Sequence, residues 1–361
     1  MVARGSQWLI GVAAVLLLLS LPGGVARTGS AAMGNAYAVT ALVSNNAVTG
    51  TTVDPNLVNA WGLVAGPTSP WWVNAADADK SLLYNAAGGK VPLEVTVAGG
   101  PTGIVFNGDS TAFPVGDTNV AARFIFATES GTVAGWAGAL GTTAQVKVDN
   151  SGAGASYKGL AIASTPSGSF LYAANFANAR VDVFDHSWGS VTTTGGFSDP
   201  MLPADYAPFG IQTIGNRVFV AFAKQGEPEG GAVEEQKGQG LGMVDAFDTS
   251  GNLLVRVVQH GQLNAAWGLA MAPANFGRFS GDLLVGNFGD GHINAYEEMS
   301  NGHFEYRGML RTADGLPLAI DGLWALEFGH GAANNGPTNT LFFTAGPNGE
   351  EDGLFGMITA A

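Results

Sequence analysis

Charged side chains are scarce in this chain, so those beside its repeated aromatic phrases are the first candidates for chemistry. Lys158 opens "KGLAIA". A lysine there could be a desolvated base, a clamp for a carboxylate, or the partner of a neighbouring acid. Glu129, Asp290 and Asp321 supply carboxylates at related positions, Asn59 and Asn264 amides, Tyr157 a phenol and His292 an imidazole. An oxygen-rich set of this kind suits a hard cation such as Ca²⁺, which takes about six to eight oxygens. It also suits a sugar gripped by carboxylates against aromatic faces, for which Trp61, Phe209, Trp267 and Trp324 are available. The plain alternative is solubility, because Asp and Gly are what tight turns require. A three-histidine zinc centre is disfavoured: only His260 and His292 fall on the same side as these residues, with His186, His303 and His330 at the other strand ends. No GxSxG elbow marks a serine hydrolase. Glu129 and Asp321 could form a glycosidase pair, but only at a separation the sequence does not supply.

The elements that would position these residues come from an internal repeat. Six short phrases place a large residue, Thr or Lys before a small residue and an aliphatic: Trp61-Gly62-Leu63, Thr102-Gly103-Ile104, Lys158-Gly159-Leu160, Phe209-Gly210-Ile211, Trp267-Gly268-Leu269 and Trp324-Ala325-Leu326. Their spacing is near the period of propeller blades. After each comes an apolar strand such as "WWVNA" or "DLLVGNF", then a polar turn and a third strand such as "RVDVFDH". These stretches alternate and favour β-branched and aromatic residues, as half-buried strands do. A fourth strand ends five of the units, and the sixth stops after its third, while "AYAVTALVS" (residues 36–44) belongs to none. The reading is an all-β, six-bladed propeller over residues 37–358, its ring closed by the N-terminal strand completing the last blade. The repeated Trp side chains are then wedges between blades or an aromatic floor under a ligand. The glycine beside each is expected to give a flat spot for a neighbour's bulky side chain. Entering loops and second-to-third turns share one face, so the candidate residues gather around one acidic mouth of the central channel. The Gly- and Glu-rich insert "KQGEPEGGAVEEQKGQG" falls on the same face and reads as a mobile loop.

The N-terminus has a different character. Arg4 precedes the apolar run from Trp8 to Leu21, followed by Pro22 and small residues, the layout of a signal peptide over residues 1–26, with cleavage as late as residue 36. Export to the periplasm or medium is therefore expected, with no membrane span once the leader is removed. The absence of cysteine excludes disulfides, CxxC metal sites and thiol catalysis. A formal net charge of −14 disfavours nucleic acid and anionic lipid as partners. A monomer is expected, with a small molecule, a glycan or an extracellular protein as partner. Ca²⁺ is the one cofactor the acidic mouth suggests.

Taken together, "NAWGL…SPWWVN", "FIFATESGTVAGW", "YAPFGIQ", "LNAAWGLAMAP…FGRFSGDLLVGNFGDGHINAY" and "LFFTAGPNGEEDGLFG" resemble a family of exported, mostly bacterial proteins of unknown function, some with PEP-CTERM sorting tails. The chain is more distantly similar to NHL-repeat and lactonase-type propellers. The resemblance implies the propeller and export, and brings no reaction. Calcium-dependent lactonases tend to place Asn, Asp or Glu at the starts of inner strands. Here those positions hold Trp, Thr, Lys, Phe, Trp and Trp, with Asn59, Asn264 and Asp321 two or three residues earlier. The expected function is a binding or scaffold module with its ligand at the acidic mouth. The alternative is a metal-assisted, Ca²⁺-dependent hydrolase using the same face.

Overall fold

The computed structural model describes residues 34–46, 48, 50–227 and 233–361. The leader expected over residues 1–26 lies outside them. Residues Gly34–Ala361 make one compact unit, in which six mainly antiparallel sheets are arranged as the blades of a propeller and a two-stranded ribbon lies beside blade 2. Each innermost strand carries one of the repeated phrases: Ala60–Ala65, Pro101–Phe106, Tyr157–Thr165, Tyr206–Ile214, Ala266–Met271 and Leu323–Phe328 for blades 1 to 6. In blade 1 the sheet continues outward through Trp71–Ala75, Lys80–Tyr84 and Lys90–Thr96. In blade 6 it continues through Leu341–Ala345 and Leu354–Ala360, where the unit ends. The N-terminal strand Tyr37–Ser44 supplies the missing fourth position, pairing antiparallel from Tyr37 opposite Ala360 to Ser44 opposite Leu354. The ring is therefore closed as the sequence predicts, and the first and last strands share the ladder that holds it shut. No helix among the described residues is long and apolar enough to cross a membrane.

The repeated phrase has a structural cause that differs from the expected one. Every innermost strand carries a register shift at the phrase, as between Ala60 and Leu63, Pro208 and Gly210, or Ala266 and Gly268. A bulge there re-aims one side chain per blade, here into the channel. The small residue after it is needed for a neighbouring backbone, not for a bulky side chain. A Cβ on Gly62 would sit 2.2 Å from the carbonyl oxygen of Thr102, one on Gly103 2.4 Å from Leu160 N, and one on Gly210 2.1 Å from Trp267 O. Each glycine thus lets the next blade's innermost strand come close to the axis. Polar side chains finish the joint. Asn74 Nδ2 donates to Thr102 O at 2.9 Å, and Thr102 Oγ1 to Tyr157 O at 2.8 Å, each from one blade to the next. Between blades the packing is aromatic and aliphatic, as where Trp72 stacks on Phe124 at 3.9 Å between blades 1 and 2.

Candidate functional site

The bulges turn Trp61, Phe209, Trp267 and Trp324 inward, where they meet across the axis instead of wedging between blades. Trp61 and Trp324 lie 3.8 Å apart between ring centroids, and Phe288 stacks on the other face of Trp324 at 3.8 Å and 11°. Phe209 and Trp267 close the group edge-on, at 6.5 and 6.2 Å from Trp61. The result is a buried aromatic plug under the predicted mouth. Its stack ends in a cation on each side. Lys158 Nζ lies 5.0 Å from the Trp61 ring and Lys237 Nζ 4.0 Å from that of Phe288, within range of a ring quadrupole. Trp324 Nε1 donates to Asn59 Oδ1 at 3.1 Å. The indole N–H groups of Trp61 and Trp267 have no acceptor among the described residues.

Of the roles open to it from the sequence, Lys158 takes that of a partner to neighbouring acids. Its side chain is 1 % exposed and its ammonium is paired with Glu129 and, at 3.0 Å, with Glu234. Burial opposes the charge, but the attraction of Glu129 and Glu234 outweighs it and holds the lysine pKa above its ordinary value. Glu234 belongs to the insert in blade 4, whose described ends are paired and packed, unlike the mobile loop expected. Gly226 N donates to Glu234 O at 2.7 Å, Gln236 N to Lys224 O at 2.7 Å, and Val233 rests against the plug. A buried ammonium needs counter-charge nearby, and the insert's acids supply it. Glu235 beside them is pushed up to about 7 by burial, with Lys158 pulling the other way. Burial also raises Glu350, against the hydrogen bond from Asn59 Nδ2 at 3.0 Å. Four half-buried carboxylates, Glu129, Glu234, Glu235 and Glu350, therefore face two lysines over an aromatic floor.

The remaining predicted residues lie around this group and do not pair with its carboxylates or lysines. Tyr157 is buried between blades 2 and 3, its hydroxyl donating to Asp182 at 2.9 Å and accepting from Asn150. Asn264, Asp290 and His292 cluster at the rim of blade 5, and Asn264 Oδ1 accepts from Gly238 N at 2.6 Å, tying the cluster to the insert beside Lys237. Asn264 Nδ2 reaches Asp290 at 3.3 Å, and His292 Nδ1 lies 3.4 Å from the same carboxylate. Asp321 is exposed and accepts from Asn348 N at 2.9 Å, holding a turn. Among the described residues no group of three or more His, Asp or Glu side chains is placed to hold a metal ion. Sequence reading missed Phe288, and it put the insert holding Glu234, Glu235 and Lys237 and the turn holding Glu350 on this face without singling those residues out. A signal for Phe288 was present, since "AANF" and "VGNF" both put a Phe after the Asn that ends a second strand. Phe176, from the first of these, packs on Phe209 at 5.2 Å.

The fold and this mouth define the class: a six-bladed β-propeller whose channel is plugged by aromatic side chains beneath an acidic face. The chain belongs to the family of uncharacterised protein R648 of Acanthamoeba polyphaga mimivirus, with which it is 32% identical over 331 residues, 88% of this chain and 78% of that one. Uncharacterised protein L690 of the same virus is 30% identical over 338 residues, covering 89% and 85%. No family model matches the chain. Among solved structures, virginiamycin B lyase from Staphylococcus aureus overlaps at a TM-score of 0.49 with 13% identity, over 90% of this chain and 100% of that one. A putative gluconolactonase overlaps at 0.44 with 17% identity, over 71% and 76%. Overlaps this loose carry no argument about activity.

Proposed function

We propose that this protein is an exported binding module that holds a small organic cation at its acidic mouth. One observation carries the reading: four half-buried carboxylates share the mouth with only two lysines, which already lie against the ends of an aromatic stack. Carboxylates crowded in partly desolvated surroundings repel one another, and a further cation relieves that repulsion. Among the described residues no three of these acids are placed to hold one metal ion, and an organic cation that hydrogen-bonds to spaced carboxylates suits them better than a bare inorganic one. Ca²⁺ is the inorganic occupant to test beside it. The experiment is thermal unfolding of the protein after EDTA, with choline, spermidine, Ca²⁺ or maltose added in turn. A ligand of the folded state raises the midpoint by mass action, by about 2.7 kcal/mol at a hundredfold excess over Kd. An organic cation should raise it, and Glu234→Gln should shrink the rise. A rise with maltose and none with any cation overturns the reading. Export is checked by mass: exported protein should begin between Arg27 and Tyr37, and an intact Met1 refutes it.

A second reading rests on Glu235. A half-buried carboxyl pushed up to about 7 is suited to proton transfer near neutrality. Hydrolysis of a lactone or ester at this mouth would then rise and fall around that value, and Glu235→Gln would abolish it without unfolding the ring. Absence of turnover across a panel of lactones and esters leaves the binding module standing.

A further inference from the structure

The other end of the channel is a separate place, closed off from the acidic mouth by the aromatic plug. Below the plug, the aliphatic residue of each phrase faces inward, so that Leu63, Ile104, Leu160, Ile211, Leu269 and Leu326 line the axis as a ring. The space is about 30 Å³ where it ends under Trp267, and opens to a cavity of about 210 Å³ at the far mouth. The wider part corresponds to about seven waters of liquid volume. The side chains that line it are apolar apart from Gln212, Thr213 and Glu327, with backbone polar groups exposed between them, and Gln212 and Glu327 line both the narrow and the wide part.

Glu327 is the one ionisable side chain among the residues lining this space. It is only 16 % exposed, and the space it lines is this cavity. His330 Nε2 lies 2.9 Å from Glu327 Oε1, and the Trp71 ring stands edge-on to the imidazole at 6.0 Å. The carboxylate is therefore held in place by a hydrogen bond from outside the cavity. A carboxylate has about four acceptor sites, so the imidazole leaves others open. Burial raises the Glu327 pKa, against the pull of His330, which reflects how poorly water can reach it. A fixed, poorly hydrated carboxylate at the edge of an apolar ring matches a ligand with a cationic head and a hydrocarbon body.

We propose that this lower mouth is a second binding site, for a small aliphatic or alicyclic primary amine whose ammonium pairs with Glu327 while its hydrocarbon fills the aliphatic ring. Cyclohexylamine is the probe, with cyclohexanol as its neutral counterpart of the same shape. Both are titrated by calorimetry at pH 7.5 into the wild-type protein, Glu327→Gln and Thr213→Trp. The amine should bind wild type about ten-fold or more tighter than the alcohol, a difference of about 1.4 kcal/mol. Glu327→Gln should erase that preference while leaving the alcohol's affinity unchanged. Thr213→Trp, which places a large ring in the cavity wall, should abolish binding of both. Glu234→Gln, at the acidic mouth, should alter neither. No binding of the amine to wild type, equal binding of amine and alcohol, or amine binding that survives both cavity variants overturns the proposal. Should Glu327→Gln or Thr213→Trp fail to fold, the amine–alcohol comparison on wild type decides.

Discussion

Replacing Lys158 by Met keeps the length and apolar stem of the side chain and removes its charge. The ammonium is 1 % exposed and carries two carboxylate contacts, so its removal strands Glu129 and Glu234 beside the plug. Breaking a fully buried pair costs about 3–5 kcal/mol. Here Glu129 and Glu234 are 36% and 44% exposed and can recover water, which lowers the cost to about 2–3 kcal/mol. Part of the loss should vanish at pH 5, because Glu235, pushed up to about 7, takes up a proton there and the mutual repulsion falls. The assay is urea unfolding of wild type, Lys158→Met, Glu129→Gln and the double variant at pH 5 and pH 8. The double variant should be less destabilised than the sum of the singles, since each single already removes the shared contact. A Lys158→Met protein as stable as wild type at pH 8, or a strictly additive cycle, would refute the claim that this lysine balances the mouth.

Three further outcomes follow from the fold. Gly210→Ala drives a methyl to 2.1 Å from the Trp267 carbonyl and should cost about 3 kcal/mol or more, whereas Gly138→Ala meets nothing within 4 Å and should be nearly neutral by the same denaturation assay; equal tolerance of the two sinks the close-approach argument. Asp245, 1 % exposed, is pushed up to about 7 from an ordinary 3.8 by burial and by the nearby charge of Asp199. Its protonated form is favoured in the fold, so its contribution is full below about pH 4 and is lost as pH rises through about 7. Asp245→Asn stays neutral throughout. At about 1.36 kcal/mol per pKa unit, it should match wild type at pH 4 and exceed it at pH 8 by up to about 4 kcal/mol, and a gap independent of pH in urea unfolding would contradict this. Deleting residues 37–44 opens the ladder with Leu354–Ala360 and should abolish cooperative melting; an unchanged transition in differential scanning calorimetry would refute closure by this strand.

The sequence by itself determined the blade count, the order of strands in each blade and the manner of closure. The physical reason is that these depend on local pattern repeated six times: a bulge-forming phrase, a half-buried strand and a turn, each legible within one unit. Lys158, Asn59, Glu129 and the three tryptophans were also found this way, because they occupy fixed positions relative to the phrase. What the glycines are for was not legible, since the atom each must clear belongs to the next blade, about 40–60 residues along the chain. Tyr157 shows the same limit in reverse: it adjoins Lys158 in sequence, but strand alternation sends the two side chains to different surroundings. Glu234, Glu235 and Lys237 sit in an insert whose composition reads as solvated, and only the buried charge of Lys158, supplied by another blade, draws two of its acids over the mouth. His330 was divided from the candidate site by strand end and Glu327 carried no signal of its own, and their meeting at the far mouth of a plugged channel is a product of the closed ring. Local repetition decided the scaffold, while contacts among distant blades decided which charges lie together, because burial and pairing depend on neighbours that a linear pattern does not place.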